Sequence, residues 1–130
     1  MAFYTKTNMV TFVSGSLAAG HLNKFAVIDS SGQAVLNTVA QGPVDGIFGE
    51  EITASTAGLA VPLVQPDGCI AKVVAGAAIT NGDLVGSDTV GRAITHVDAV
   101  DTVAVGRALQ AATAAGQVIS IHFMIQRSSA

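Results

Sequence analysis

The chain contains the stretch Ala75-Gly76-Ala77-Ala78-Ile79-Thr80-Asn81-Gly82-Asp83-Leu84-Val85, which predicts the end of one strand, a tight turn at Gly82 and a second strand from Asp83. A related stretch, Gly15-Ser16-Leu17-Ala18-Ala19-Gly20-His21-Leu22, lies near the N-terminus. Four pairs of glycines recur at offsets of 62, 59, 60 and 58 residues: Gly20 and Gly82, Gly32 and Gly91, Gly46 and Gly106, and Gly58 and Gly116. The nearly constant offset predicts an internal duplication, approximately residues 14–64 and 73–125.

Each predicted copy contains a β-hairpin. The first hairpin turns at Asp29-Ser30-Ser31-Gly32, between strands predicted over residues 22–29 and 33–39. The second turns at Asp88-Thr89-Val90-Gly91, between shorter strands. Asp and Ser side chains bond the nearby backbone in turns, and glycine accepts a positive φ, so both stretches are typical of hairpin turns.

The remaining patterns predict further short strands at residues 9–13, 44–48, 59–64, 69–74, 103–109 and 117–125. Pro62 cannot donate to a ladder, so its strand is expected at an edge or irregular. Residues 107–115 favour at most a short helix, ended by Gly116. We therefore expect an all-β, compact β-sandwich or barrel-like domain, with at most one or two short helices.

A short joint connects the two predicted copies. Gln65-Pro66-Asp67-Gly68 reads as a turn and is too short to act as a flexible linker. A unit of about 60 residues buries only about 60% of its unfolded surface, so two such units are expected to share a core. Residues 1–130 are therefore predicted to form a single domain.

The composition limits the classes of partner. Charged residues make up 12% of the 130 residues, against about 25% in a typical globular domain. So few charges leave an apolar surface, which predicts burial against further copies or a partner. The lysines and arginines are scattered singly in a chain of net charge −3, so no nucleic-acid partner is expected. No apolar run approaches 18 residues, so no membrane partner is expected.

The residues that carry chemistry form no recognisable motif. His21, His96 and His122 lie far apart, without ligands at metal spacing. Cys69 stands alone and reads as a small buried hydrophobic residue. Glu50 and Glu51 are adjacent and on a strand would point to opposite faces. The sequence therefore predicts no catalytic residue, no metal and no cofactor, and the chain is not expected to be an enzyme.

Aromatic residues are concentrated at the N-terminus, where Phe3, Tyr4 and Phe12 are three of the six in the chain. One interpretation is a first strand that pairs within the domain. The other is an arm, residues 1–8, that reaches a neighbouring subunit or a partner surface. On the second interpretation, Phe3, Tyr4 and Phe12 are the candidate contact residues.

Three stretches carry a resemblance to a known family: Ala77-Ala78-Ile79-Thr80-Asn81-Gly82-Asp83-Leu84-Val85, Val105-Gly106-Arg107-Ala108-Leu109 and Ala114-Ala115-Gly116-Gln117-Val118-Ile119-Ser120-Ile121. The pattern resembles the capsid decoration, or cement, proteins of tailed bacteriophages. The resemblance implies a β domain that associates, commonly as a trimer, on the outside of the phage head. It implies the major capsid protein as partner, a place on the virion after assembly in the host cytoplasm, and no catalysis.

Two other classes of function stay open. A ligand- or carbohydrate-binding β module of a phage fibre or tail would usually present exposed aromatic platforms, and this chain has no Trp and one Tyr. A small enzyme would need a convergent acid, base or metal cluster, such as His21 brought close to Asp83 or Asp88.

Overall fold

The computed structural model describes residues 8–15, 17, 20–51, 58–99 and 102–127. Within these ranges the chain forms ten strands and no helix. The described residues therefore contain no helix that could cross a membrane. The first half, residues 8–65, contains β1 (Met9–Val13), β2 (Phe25–Ile28), β3 (Ala34–Leu36), β4 (Gly46–Phe48) and β5 (Ala60–Val64). The second half, residues 67–127, contains β6 (Asp67–Val74), β7 (Leu84–Ser87), β8 (Ala93–Thr95), β9 (Val103–Ala108) and β10 (Val118–Arg127). The all-β prediction is confirmed.

Each half forms one antiparallel five-stranded sheet, and the two sheets have the same strand order. The first sheet runs β1-β5-β4-β2-β3 and the second runs β6-β10-β9-β7-β8. The end strands of each sheet meet through a parallel bridge, Ser14 with Ala34 in the first half and Ala75 with Ala93 in the second. Each sheet therefore curls into a small barrel-like unit.

The two halves also repeat individual hydrogen bonds. The Asp29 Oδ1 atom accepts from the N–H groups of Ser31 and Gln33, both at 2.9 Å. The Asp88 Oδ1 atom accepts in the same way from the N–H groups of Val90 and Arg92, at 2.9 and 2.8 Å. Both turns end in a glycine of positive φ, +77° at Gly32 and +78° at Gly91. Duplication as the origin of this repetition stays a prediction.

A continuous core joins the halves. One cluster of buried residues combines Phe25, Val44, Ile47 and Val64 of the first half with fourteen residues of the second. The rings of Phe25 and Phe123, both fully buried, lie 6.0 Å apart between centroids. The interior of the first sheet forms a separate, smaller cluster. The first half thus fills its own interior and also packs its outer face against the second half.

Buried polar groups fix how the halves meet. The Asn37 side chain is 1% exposed, and its Nδ2 donates to Ser87 Oγ at 2.7 Å and to the Val39 carbonyl at 2.8 Å. Ser87 Oγ in turn donates to the Asp88 carbonyl at 2.9 Å. Because buried polar groups cost free energy unless they are paired, this arrangement favours one relative position of the halves.

The prediction of an edge or irregular strand at Pro62 is wrong. β5 lies between β1 and β4, and its pairing with β1 is regular. β4 ends at Phe48, opposite Leu63. Beyond that end, the Pro62 carbonyl accepts from the Gly49 N–H at 3.0 Å. In an antiparallel ladder the N–H and C=O of a residue point to the same side, so the missing N–H faces the point where β4 has ended.

Residues 107–115 form no helix, although the sequence allowed a short one. Arg107 and Ala108 complete β9, and Ala112 forms an antiparallel bridge with Ile79 through two hydrogen bonds of 2.9 Å. Gly116, at φ +94°, donates its N–H to the Ala75 carbonyl at 2.8 Å. Nine residues are marginal for an isolated helix, and here neighbouring strands satisfy the backbone instead.

Replacing Asn37 tests the junction between the halves. Asn37→Ala removes the donor that binds the buried Ser87 hydroxyl and the Val39 carbonyl, so we expect the free energy of unfolding to fall by about 1–3 kcal/mol. The measurement is urea unfolding followed by circular dichroism. Thr38→Ala, at the exposed neighbouring position, is the matched control and should change stability by less than about 0.5 kcal/mol. Equal losses in the two variants would contradict a specific role for the Asn37 amide.

Candidate interaction surfaces

The predicted contact residues fall at the start of the described chain. Phe12 lies on β1, half-buried and packed against the smaller core cluster of the first half. Phe3 and Tyr4 lie outside the described residues. The Asn8 carbonyl accepts from the Gln65 N–H at 2.8 Å, which places Asn8, the first described residue, beside the end of β5. The contact role of Phe3, Tyr4 and Phe12 stays a prediction.

β1 presents an open, apolar edge. It pairs with β5 on one side, and on its other side the Ser14 bridge is its contact with a described strand. Met9, Val10 and Val13 are 48%, 43% and 51% exposed. Unpaired strand edges with apolar side chains are surfaces that a further strand or a partner readily covers. The sequence predicted β1 as a strand, but only the sheet order shows that, among the described strands, its second edge is paired at Ser14 alone.

A cleft adjoins this edge. It measures about 230 Å³ and is lined by Met9, Leu22, Asn23, Gly49, Val64, Ala71 and Lys72. The lining comes from both halves, and Leu22 is 39% exposed at its rim. The edge of β1 and this cleft together form one surface, which we call the N-terminal surface.

A second surface lies on the outer face of the second sheet. Leu84 pairs with Arg107, Arg107 with His122, and His122 with Ile70 in the cross-strand register. Residues directly opposite one another in a ladder share a face, so these four form one row, which we call the second-half row. Leu84 is 41% exposed, and Arg107 is exposed as well. Sequence reasoning missed this row because its members are spread over more than fifty residues.

The three histidines occupy separate environments. His21 is fully buried, and its ring packs edge-on against the ring of Phe48, with 5.0 Å between the ring centroids. His96 Nδ1 lies 2.9 Å from Gln41 Oε1, and His122 is half-buried on β10. Within the described residues, no three His, Cys, Asp or Glu side chains are grouped to hold a metal ion.

The acidic residues are occupied in local structure. Asp83 Oδ2 accepts from the Thr80 N–H at 3.2 Å, and Asp88 Oδ2 accepts from Arg92 Nε at 2.9 Å. Glu51 Oε1 accepts from the Gly20 N–H at 2.8 Å and the Leu22 N–H at 3.4 Å. These backbone donors, first Gly20 and then Leu22, lower the pKa of the Glu51 carboxyl. The carboxylate of Glu51 thus holds the turn that leads into the buried His21.

Comparison with known proteins decides the family. A profile of the phage cement proteins matches residues 8–123. The chain belongs to the phage cement protein family. The resemblance found in the sequence is thereby confirmed, and the chain is a structural protein associated with the phage capsid.

The fold has a solved relative. The crystal structure of the N base of head fiber gp8.5 in bacteriophage phi29 superposes with a TM-score of 0.69. The alignment covers 89% of this chain and 94% of that one at 17% identity. At this identity the similarity shows the shared fold. A search among curated proteins found no match.

Thiol labelling tests the environment of Cys69. Cys69 is buried and its Sγ lies 3.6 Å from the Gln65 carbonyl oxygen. Burial, followed by hydrogen bonding to Asp67, raises the pKa of the thiol from 9.0 to about 11. Because the thiolate is the reactive form, we expect labelling of the folded protein at pH 8 to be about 100-fold slower than in urea. Cys69→Ser gives the background, and comparable rates in the two states would contradict a buried thiol.

Proposed function

We propose that the protein binds the outer surface of a phage capsid and stabilises the head lattice. The observation that carries this proposal is the family match over residues 8–123. A protein of this kind acts by burying surface across the junctions between capsid subunits. Each contact is modest, but the lattice repeats it many times, so the shell opens only when several contacts break together.

We assign the capsid contact to the N-terminal surface together with residues 1–7. Met9, Val10 and Val13 supply apolar area on an unpaired strand edge, and Leu22 extends this area across the cleft. An extended segment of the major capsid protein that paired with β1 would satisfy the free backbone groups of that edge. Phe3 and Tyr4 lie within eight residues of this surface in the chain, where an arm would add aromatic anchors.

We propose also that the protein self-associates, with a trimer favoured, and that it acts without catalysis or cofactor. Low charge supports self-association, as do Leu84 and Val39, which are 41% and 60% exposed. The histidines and carboxylates described above are engaged in separate local contacts, which supports a binding role rather than chemistry. Assembly in the host cytoplasm, followed by attachment to the virion surface, completes the proposal.

A ligand-binding module of a phage fibre is the second candidate. The observation in its favour is the shared fold with the base of a head fiber. A fibre component would be present in few copies on each particle, whereas a protein that covers the lattice would be abundant.

Copy number in the particle distinguishes these functions. We expect quantitative mass spectrometry of purified virions to give a fixed, simple ratio of this chain to the major capsid protein. A handful of copies would favour the fibre component instead. Absence from virions would overturn both functions.

Variants of the N-terminal surface test where the capsid binds. We expect Val10→Asp, and separately deletion of residues 1–7, to weaken binding to particles that lack the protein by about tenfold or more. The deletion keeps Asn8 and therefore its hydrogen bond to Gln65. Val97→Asp, at a more exposed valine, is the matched control and should bind as the unchanged protein does. Binding by both N-terminal variants at the control level would show that the shell contacts another surface.

A further inference from the structure

The first half contains a row equivalent to the second-half row. Phe25 pairs with Ile47, Ile47 with Val64, and Val64 with Met9. These four residues, the first-half row, occupy the same positions on β2, β4, β5 and β1 that Leu84, Arg107, His122 and Ile70 occupy on β7, β9, β10 and β6. The two sheets thus present equivalent rows on their outer faces.

The two rows differ in what covers them. In the first-half row, Phe25, Ile47 and Val64 are 0%, 1% and 7% exposed, because they belong to the core cluster shared with the second half. In the second-half row, Leu84 is 41% exposed and Arg107 is exposed. The contact between the halves therefore joins a row on one half to a different surface on the other. A contact of this head-to-tail kind covers the row of the first half and leaves the equivalent row of the second half uncovered by the first.

A backbone hydrogen bond reinforces this equivalence. The Phe25 N–H donates across the junction to the Gly91 carbonyl at 2.6 Å, while its carbonyl accepts from the Asn37 N–H. In the second half, the Leu84 carbonyl accepts in the same way from the His96 N–H at 2.8 Å. Outside the sheet ladders, no backbone hydrogen bond from the Leu84 N–H to another described residue corresponds to the Phe25–Gly91 bond. The backbone N–H that binds the neighbouring half at Phe25 thus has no corresponding bond to another half at Leu84.

The surface that would complete this contact lies on the first half. In the second half, the Gly91 carbonyl binds the first half and Val105 belongs to the shared core cluster. The equivalent positions in the first half are the Asp29–Gly32 turn and Asp45. Asp45 is exposed, and its Oδ2 accepts from the Ile28 N–H at 2.7 Å. Arg107 replaces Ile47 in the row, and Asp45 replaces Val105 in the receiving surface. Two apolar residues of the shared core cluster, Ile47 and Val105, thus correspond to two residues of opposite charge, Arg107 and Asp45.

We propose that the second-half row of one copy docks onto the first half of a second copy, beside the Asp29–Gly32 turn and Asp45. The contact repeats, with charged in place of apolar residues, the contact that joins the halves within one chain. It deepens the self-association proposed above by naming the two surfaces that meet. Leu84 supplies the apolar centre, and Arg107 faces the carboxylate of Asp45. Since the surfaces differ, the contact is directional and continues until a ring closes.

Sedimentation equilibrium of the isolated protein, without particles, tests this docking. We expect the unchanged protein to self-associate, and Leu84→Asp and Arg107→Glu each to weaken association by about tenfold or more. Val97→Asp introduces the same group at an exposed valine outside the row and should associate normally. Urea unfolding checks that every variant keeps its fold. A monomer at all concentrations, or normal association of folded Leu84→Asp, would overturn the inference.

A charge exchange identifies the partner surface. Asp45→Lys should weaken association as Arg107→Glu does, because each creates like charges across the contact. The double variant, with both charges exchanged, should restore it. If the double variant stays as weak as the single ones, Asp45 is not the partner of Arg107.

Binding of the same variants to particles is measured separately, so that a failure of the docking is distinguished from a failure of the capsid proposal. Loss of particle binding in Arg107→Glu with unchanged self-association would assign the row to the shell and overturn the docking.

Discussion

The packing of the first-half row against the second half is the contact on which the rest of the structure depends. Each half has about 60 residues, a size at which a single core contributes little stability. Burial of Phe25, Ile47 and Val64 joins two small interiors into one larger core. At about 25 cal/mol per Å² of apolar area, three large side chains supply several kcal/mol. The Asn37 and Ser87 hydrogen bonds then favour one alignment of the halves over others.

The local features of this fold could be predicted from the sequence because they depend on nearby residues. The hairpin turns at Asp29 and Asp88 are examples, since an aspartate that bonds the backbone two and four residues later needs no distant partner. The wrong prediction at Pro62, and the short helix that the sequence allowed but the fold lacks, both depend on tertiary contacts. Pro62 lies inside a sheet because β4 ends beside it. Residues 107–115 form no helix because their backbone pairs with neighbouring segments, as in the bridge between Ala112 and Ile79.

The candidate surfaces were harder to predict for a related reason. Phe3, Tyr4 and Phe12 were singled out by residue type, whereas an open edge or a cross-strand row depends on sheet order and register. Leu84, Arg107 and His122 have no common signature in the sequence, and they become a surface only when β7, β9 and β10 are aligned. The predicted duplication contained the relevant signal, because aligning the two halves sets Ile47 beside Arg107 and shows the difference in their chemistry.

That difference follows from what each row must do. The first-half row is covered as the chain folds, so apolar residues cost nothing in solubility and gain the most from burial. The second-half row is exposed in a single copy, and an apolar version of it would promote indiscriminate association. In the docking that we propose, arginine and histidine would keep the row hydrated in a free copy and restrict binding to an acidic partner surface. A duplicated unit can in this way use one geometry twice, permanently within the chain and reversibly between chains.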